Sequence, residues 1–154
     1  MKKICIALFT LVVFCTATSK AQGYKTAVGL QLDFGRGSTA VGPGIKYFFK
    51  DNSAIEGEVL FGTGITYLQA FYQYQREIPN AKGLEWYLGG GPSVGFGNGF
   101  TWVYLRPMVG LDYKINDVPL ALSFDWRPSI YLGSSYGSRF YGGAFGLGFK
   151  YCIN

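Results

Sequence analysis

Histidine is absent from all 154 residues. The side chain whose ordinary charge change lies nearest neutral pH is therefore missing, and no Ser–His or Cys–His nucleophilic pair can be assembled. Cysteine is almost as scarce. Cys5 and Cys15 fall in the first 21 residues and leave Cys152 alone, so an internal disulfide is excluded. Charged residues make up 15% of the chain, against about 25% in an average soluble protein. Beyond residue 21 no Lys/Arg cluster survives to offer nucleic acid a basic patch. Gly35-Arg-Gly37 and Gly89-Gly90-Gly91 lack a following Lys-Ser/Thr and a helix, so they are not phosphate loops. No cofactor, metal or catalytic site is expected. Glu56 and Glu58, two residues apart, share one face of a strand, and charge neutralisation suits them better than acid–base chemistry.

Long apolar runs are lacking too. The longest, Ile4 to Phe14, is too short to span a bilayer as a helix. It follows Lys2-Lys3 and precedes a small-residue exit with Ser19 and Ala21, the layout of a secretory signal peptide cut before Gln22. A lipoprotein signal ending at Cys15 fits less well, because bulky Phe14 stands before it. The expected division is 1–21 signal peptide and 22–154 a single domain. Of the 14 basic residues Lys2, Lys3 and Lys20 leave with the leader, so 11 face 9 acidic ones and the formal +5 drops to +2.

What is abundant is glycine (23) together with tyrosine and phenylalanine (12 and 13). They are arranged with a period of two, broken every 10 to 15 residues by turn-forming residues. Eight strands are predicted: 24–34, 41–49, 54–62, 66–76, 84–96, 101–113, 118–130 and 140–151. One face of each carries large apolar side chains, such as Val28, Leu30 and Leu32 in the first. The other carries Gly, Ala, Ser, Gln and a few charges. Pro43, Pro92, Pro107 and Pro128 fall in or near these segments and imply bulges or shifted ends.

Strands of about 10 residues match a tilted crossing of a hydrocarbon layer, where every backbone group needs a partner and the sheet must close. Bulky residues outward and small polar ones inward suit a narrow eight-stranded lumen. The expected fold is all-β: an eight-stranded antiparallel up-and-down transmembrane β-barrel. Aromatics gather near both strand ends, Tyr24, Phe49, Tyr74, Trp86, Tyr113 and Tyr151 at one rim and Phe34, Phe61, Phe96, Trp126 and Tyr141 toward the other. A secreted lipocalin-like ligand-binding barrel is the alternative, with the aromatic face turned into a core.

The inward charges form an expected lumen network: Asp33, Lys46, Glu56, Glu58, Arg106, Asp125 and Arg127. Glu56 and Glu58 should lie near Lys46, with Asp33, Arg106, Asp125 and Arg127 at a higher level. Buried charges need partners, so a plugged barrel is expected, with a narrow porin-like channel as the alternative. Tyr131, Tyr136 and Arg139, in the longest polar loop, are candidates for outer-loop contacts.

The segments Gly110-Leu-Asp-Tyr-Lys114 and Pro119-Leu-Ala-Leu-Ser-Phe-Asp-Trp-Arg-Pro128 resemble the strand six to seven hairpin of small outer-membrane β-barrel domain proteins of Gram-negative bacteria, of the OmpA/OmpX type. The Gly-aromatic strand Gly142 to Tyr151 is similar too. The chain departs from that group in finishing Tyr151-Cys-Ile-Asn154 rather than on an aromatic residue. The resemblance implies residence in an outer membrane, a monomer, and outer-membrane lipid, the assembly machinery and periplasmic chaperones as partners. It does not imply one shared activity.

Overall fold

The structure, a computed structural model, describes residues 24–35, 37–133 and 139–153. The leader, its cleavage site and Tyr136 lie outside them. Ten strands occur among the described residues: β1 (Thr26–Gly35), β2 (Ser38–Lys50), β3 (Ser53–Gly62), β4 (Ile65–Glu77), β5 (Leu84–Gly97), β6 (Phe100–Lys114), β7 (Leu120–Trp126), β8 (Ser129–Tyr131), β9 (Phe140–Tyr141) and β10 (Ala144–Ile153). Each pairs antiparallel with its sequence neighbours along β1 to β6. The sheet closes because β1 pairs with β10 (Thr26 opposite Ile153) and β7 lies between β10 and β6. With β7–β8 and β9–β10 each forming one broken stave, this is a closed eight-stranded antiparallel barrel.

The predicted strand bounds hold to within a few residues except in the last hairpin. Alternation predicts a seventh stave unbroken over 118–130. The observed stave starts after Pro119 and breaks at Arg127-Pro128, because Pro128 has no N–H to give the ladder. The eighth breaks at Gly142-Gly143. Pro43, Pro92 and Pro107 end no strand. All three face outward, and the ladder skips beside the first two: between Val41 and Gly44 on β2, and between Gln69 and Tyr72 opposite Pro92. Pro107 stands where β6 passes from pairing with β8 to pairing with β7.

Turns at the two ends differ. On the side away from the termini three hairpins close tightly, one through Asn98 (φ 51°) and Gly99 (φ 76°). Both need a left-handed backbone, the condition of a type I′ turn that matches strand twist. The fourth connection, residues 132–139, is the long one.

The alternation of faces is strict. In β7, Leu120, Leu122, Phe124 and Trp126 are exposed, while Ala121, Ser123 and Asp125 between them are buried. Leu30, Ile55, Phe61, Leu68, Leu88 and Phe149 also lie on the outer surface, each about half exposed. The large apolar side chains thus form a continuous outer band, far more than the few hundred Å² a soluble monomer tolerates as a patch. The 13-residue strands β2 and β4, tilted as barrel strands are, reach about 30 Å, the depth of a hydrocarbon core. A lipocalin-like arrangement would place this band inside; the structure places it outside.

One sequence expectation fails on this face. Parity with Thr26 puts Tyr24 on the outer rim, but it is 5% exposed and points inward. It precedes β1, so strand alternation does not govern it, and its hydroxyl is drawn to Asp112 Oδ2 at 2.7 Å.

A charge placed mid-band should reveal which solvent this face meets. Leu30, halfway along β1, is outward and exposed, and Leu30→Arg is expected to lower unfolding stability in a lipid bilayer by about 2–4 kcal/mol. At an ordinary water-exposed site the same change would stay within about 0.5 kcal/mol. Reversible denaturant titration in vesicles distinguishes the two.

Candidate functional site

Sixteen polar or charged side chains are buried among the described residues, and all but Ser53, whose hydroxyl meets that of outward-facing Tyr72, are turned into one lumen. At its centre stands Arg127, 1% exposed. Its Nε and terminal Nη2 fork onto Asp125 at 2.5 and 2.7 Å, and Nη1 reaches both oxygens of Glu58 at 3.0 and 2.9 Å. Paired forks of this kind are the strong, directional form of the charge-assisted bond. The guanidinium also lies over Phe71, 5.3 Å from the ring centroid. Tyr87 donates its hydroxyl to Asp125 at 2.6 Å. One cation therefore ties β3 and β7 directly, and β4 and β5 through the two rings.

Position and shape of this centre follow from backbone chemistry. Pro128 stops β7, and Arg127, just outside the regular ladder, keeps its inward direction while its carbonyl accepts from Arg106 Nη2 at 3.1 Å. The room comes from glycine on the neighbouring strand, β10. A Cβ on Gly146 would collide with the Arg127 guanidinium.

Above this centre Arg106 pairs with Asp33 and donates to Gln69 Oε1 at 2.8 Å. Below it, Lys150 Nζ lies 2.7 Å from Glu56 Oε1, and Gln31 and Gln73 donate to the two oxygens of that carboxylate. Nearest the termini, Lys46 Nζ bridges Asp112 Oδ2 at 2.8 Å and Gln75 Oε1 at 2.6 Å, between the rings of Phe48 and Tyr87. Gln75 in turn donates to Glu85. Burial first, and the Asp112 carboxylate second, raise the Tyr24 hydroxyl well above its ordinary value, so it remains a donor there.

All seven charges singled out from sequence point into this lumen; Arg106 with Asp33 and Arg127 with Asp125 pair within the group expected at the higher level, whereas Lys46 pairs with neither Glu56 nor Glu58. Lys46 sits opposite Glu56 in register, yet its ammonium goes to Asp112, while Glu56 goes to Lys150 and Glu58 to Arg127. An eight-stranded lumen is about one side chain wide, so a partner across it is as near as one on the next strand. Sequence reasoning misses Asp112, Lys150, Tyr87 and the glutamines as members of the network. Parity alone points to Lys150, the next inward position of the last strand after Ala144, Gly146 and Gly148. Tyr131 and Arg139 flank the long outer connection, their backbones joined by a 2.9 Å bond; Tyr136 is outside the described residues.

Two spaces flank the network. A cup of about 900 Å³ opens at the terminus side, edged by Lys25, Lys50, Arg76 and Glu77 and floored by Glu85 and Asp112. A small space of about 50 Å³ lies at the other end, beside Asp33, Ser93 and Arg106. They share no lining residue, and the Arg127 and Glu56 clusters lie between. Among the described residues no group of His, Cys, Asp and Glu is arranged to hold a metal.

No protein-family model and no curated protein matches the chain. Solved structures do. The N-terminal β-barrel domain of Pseudomonas aeruginosa OprF superposes with a TM-score of 0.64 at 14% identity, over 84% of this chain and 100% of that one. The fold is that of an outer-membrane-type eight-stranded barrel. A de novo designed transmembrane β-barrel agrees, with a TM-score of 0.63 at 12% identity over 87% of this chain and all of the other. At such identities the shared feature is the fold, a closed eight-stranded wall.

Removing Arg127 would leave Glu58 and Asp125 buried and unpaired. Arg127→Ala is expected to cost about 3–5 kcal/mol, and Gly146→Ala, which crowds the same guanidinium, about 1–3 kcal/mol. Equilibrium unfolding in lipid checks both, and an unchanged midpoint for Arg127→Ala would count against the network.

Proposed function

We propose that this chain is an outer-membrane protein of structural or surface-interaction role, exported by a signal peptide cleaved after Ala21, whose lumen is plugged by the Arg127-centred network. The observation that carries it is the combination of an apolar exterior with an interior whose charges are paired with one another, five acids on four cations. A soluble barrel has no use for the first, and an open pore none for the second. The termini and the turns at 50–53, 77–83 and 114–117 then face the periplasm, and the residue 132–139 connection faces outside. Lipid is the principal partner. The assembly machinery and periplasmic chaperones handle the chain before insertion, and it works as a monomer. No catalytic step is assigned, since the lumen acids are engaged with cations or glutamines and no His is there to act as base.

A narrow channel is the second reading. Ser93 Oγ and Asp112 Oδ1, buried without a protein partner, border the outer and inner spaces, and polar groups so placed favour water. The forked Arg127 closes the stretch between them, and the plug is favoured on that geometry.

Planar-bilayer recording separates the readings. The plugged barrel gives no steady conductance at neutral pH, and long-lived unitary steps from monodisperse protein would overturn it. Cell fractionation tests residence independently: the mature chain, beginning at Gln22, is expected with outer membranes, and recovery in the soluble periplasmic fraction would refute the placement.

A further inference from the structure

We propose that the terminus-side ends of β1–β5 form an arc that binds the headgroup of an anionic phospholipid of the phosphatidylglycerol kind. This rests on the membrane reading above. Cations in this arc stand on lipid-facing tyrosines. Lys25 Nζ lies 5.9 Å from the ring centroid of Tyr47, and the Arg76 guanidinium 5.7 Å from that of Tyr74. Tyr47 is 43% exposed on the outer face, and Tyr74 packs against Trp86 with centroids 6.2 Å apart. Rim aromatics sit at headgroup level because one end of each is apolar and the other wet. A cation held against such a ring is fixed at the plane of the lipid phosphates. Lys50, exposed at the end of β2, falls between the two.

These cations are also uncommitted to protein carboxylates. The five ion pairs among the described residues are all in the lumen, and Lys25, Lys50 and Arg76 belong to none. Of the acids of this edge, Asp51 and Glu77 each follow a cation by one residue at the strand end, and Glu85 accepts from Gln75. The other half of the same rim is different. Its cation, Lys114, folds back on its own turn, donating to the carbonyls of Ile115 and Val118 at 2.9 and 2.6 Å. Leu120, Leu122 and Phe149 offer lipid an uncharged wall there. Charge complementarity thus assigns the anionic headgroup to one side of the barrel.

The three tryptophans make this testable locally. Trp86 lies in the arc and Trp126 on the outer face of the opposite half. Two proteins, one keeping Trp86 alone and one keeping Trp126 alone (the others changed to Phe), are reconstituted in phosphatidylcholine vesicles. Each vesicle preparation holds a low fraction of brominated phosphatidylglycerol or brominated phosphatidylcholine. The expected result is a relative association constant at Trp86 roughly fivefold in favour of phosphatidylglycerol, and a ratio near one at Trp126. Lys25→Gln, Lys50→Gln and Arg76→Gln together should bring the Trp86 ratio to near one, and free glycerol phosphate should leave it unchanged. A ratio of one at Trp86, an equal preference at both tryptophans, or competition by free glycerol phosphate overturns the proposal. Failure of both lipids to quench either tryptophan would instead overturn the membrane reading on which it rests.

Discussion

A backbone in hydrocarbon has no water to satisfy it, and the rest of this structure depends on that constraint. Each N–H and C=O must find a partner within the protein, which for a chain of strands only a closed sheet provides. Closure with eight strands fixes a lumen about as wide as its own side chains. The outer positions then go to Leu, Val, Ile, Phe and Tyr, and the inner ones to whatever fits a narrow tube. The pairing of β1 with β10 along its whole length, from Thr26 with Ile153 to Gly35 with Ala144, is therefore the contact that defines the fold.

Filling the tube with charge has a physical logic. Apolar side chains would pack it equally well, and Phe71, Tyr87 and Met108 do so in one small cluster. A second cluster holds Tyr24, Ala27, Ala121 and Cys152; between and around them the strands supply carboxylates, amines and glutamines that bond across the lumen, joining staves that are not neighbours in the sheet. A broken pair leaves a charge in a low-dielectric interior, at a cost several times that of an exposed pair. The network thus penalises any slip of register, since a shift of one residue would carry Arg127, Glu58 and Lys46 to the lipid side. Its centre coincides with the weakest part of the wall. Near Pro107 and Pro128 the β6 ladder changes partner, and there Arg127 and Arg106 bind side chains and a carbonyl in place of the missing backbone bonds.

Much of the wall was legible in the sequence because alternation is a local property. Val28-Gly-Leu-Gln-Leu and Leu120-Ala-Leu-Ser-Phe state their two faces without reference to any other strand. The same parity identified Asp33, Lys46, Glu56, Glu58, Arg106, Asp125 and Arg127 as inward. Their partners were not legible. Pairing depends on stagger, tilt and side-chain reach, so Lys46 passes over its register neighbour Glu56 for Asp112, on a strand well separated from its own in sequence. The break at Pro128 was signalled by proline, but its consequence for Arg106 required the wall to be assembled. Tyr24 escapes the pattern because it stands outside the strand whose phase extends to it.

The central claim is the direction of the two faces, and spin labels placed one at a time along residues 120–126 in lipid nanodiscs test it most directly. Labels at 120, 122, 124 and 126 should show high collision with oxygen and low collision with a water-soluble nickel chelate, as residues facing hydrocarbon do. Labels at 121, 123 and 125 should collide little with oxygen. The opposite phase, or high nickel collision at the even positions, would contradict the account.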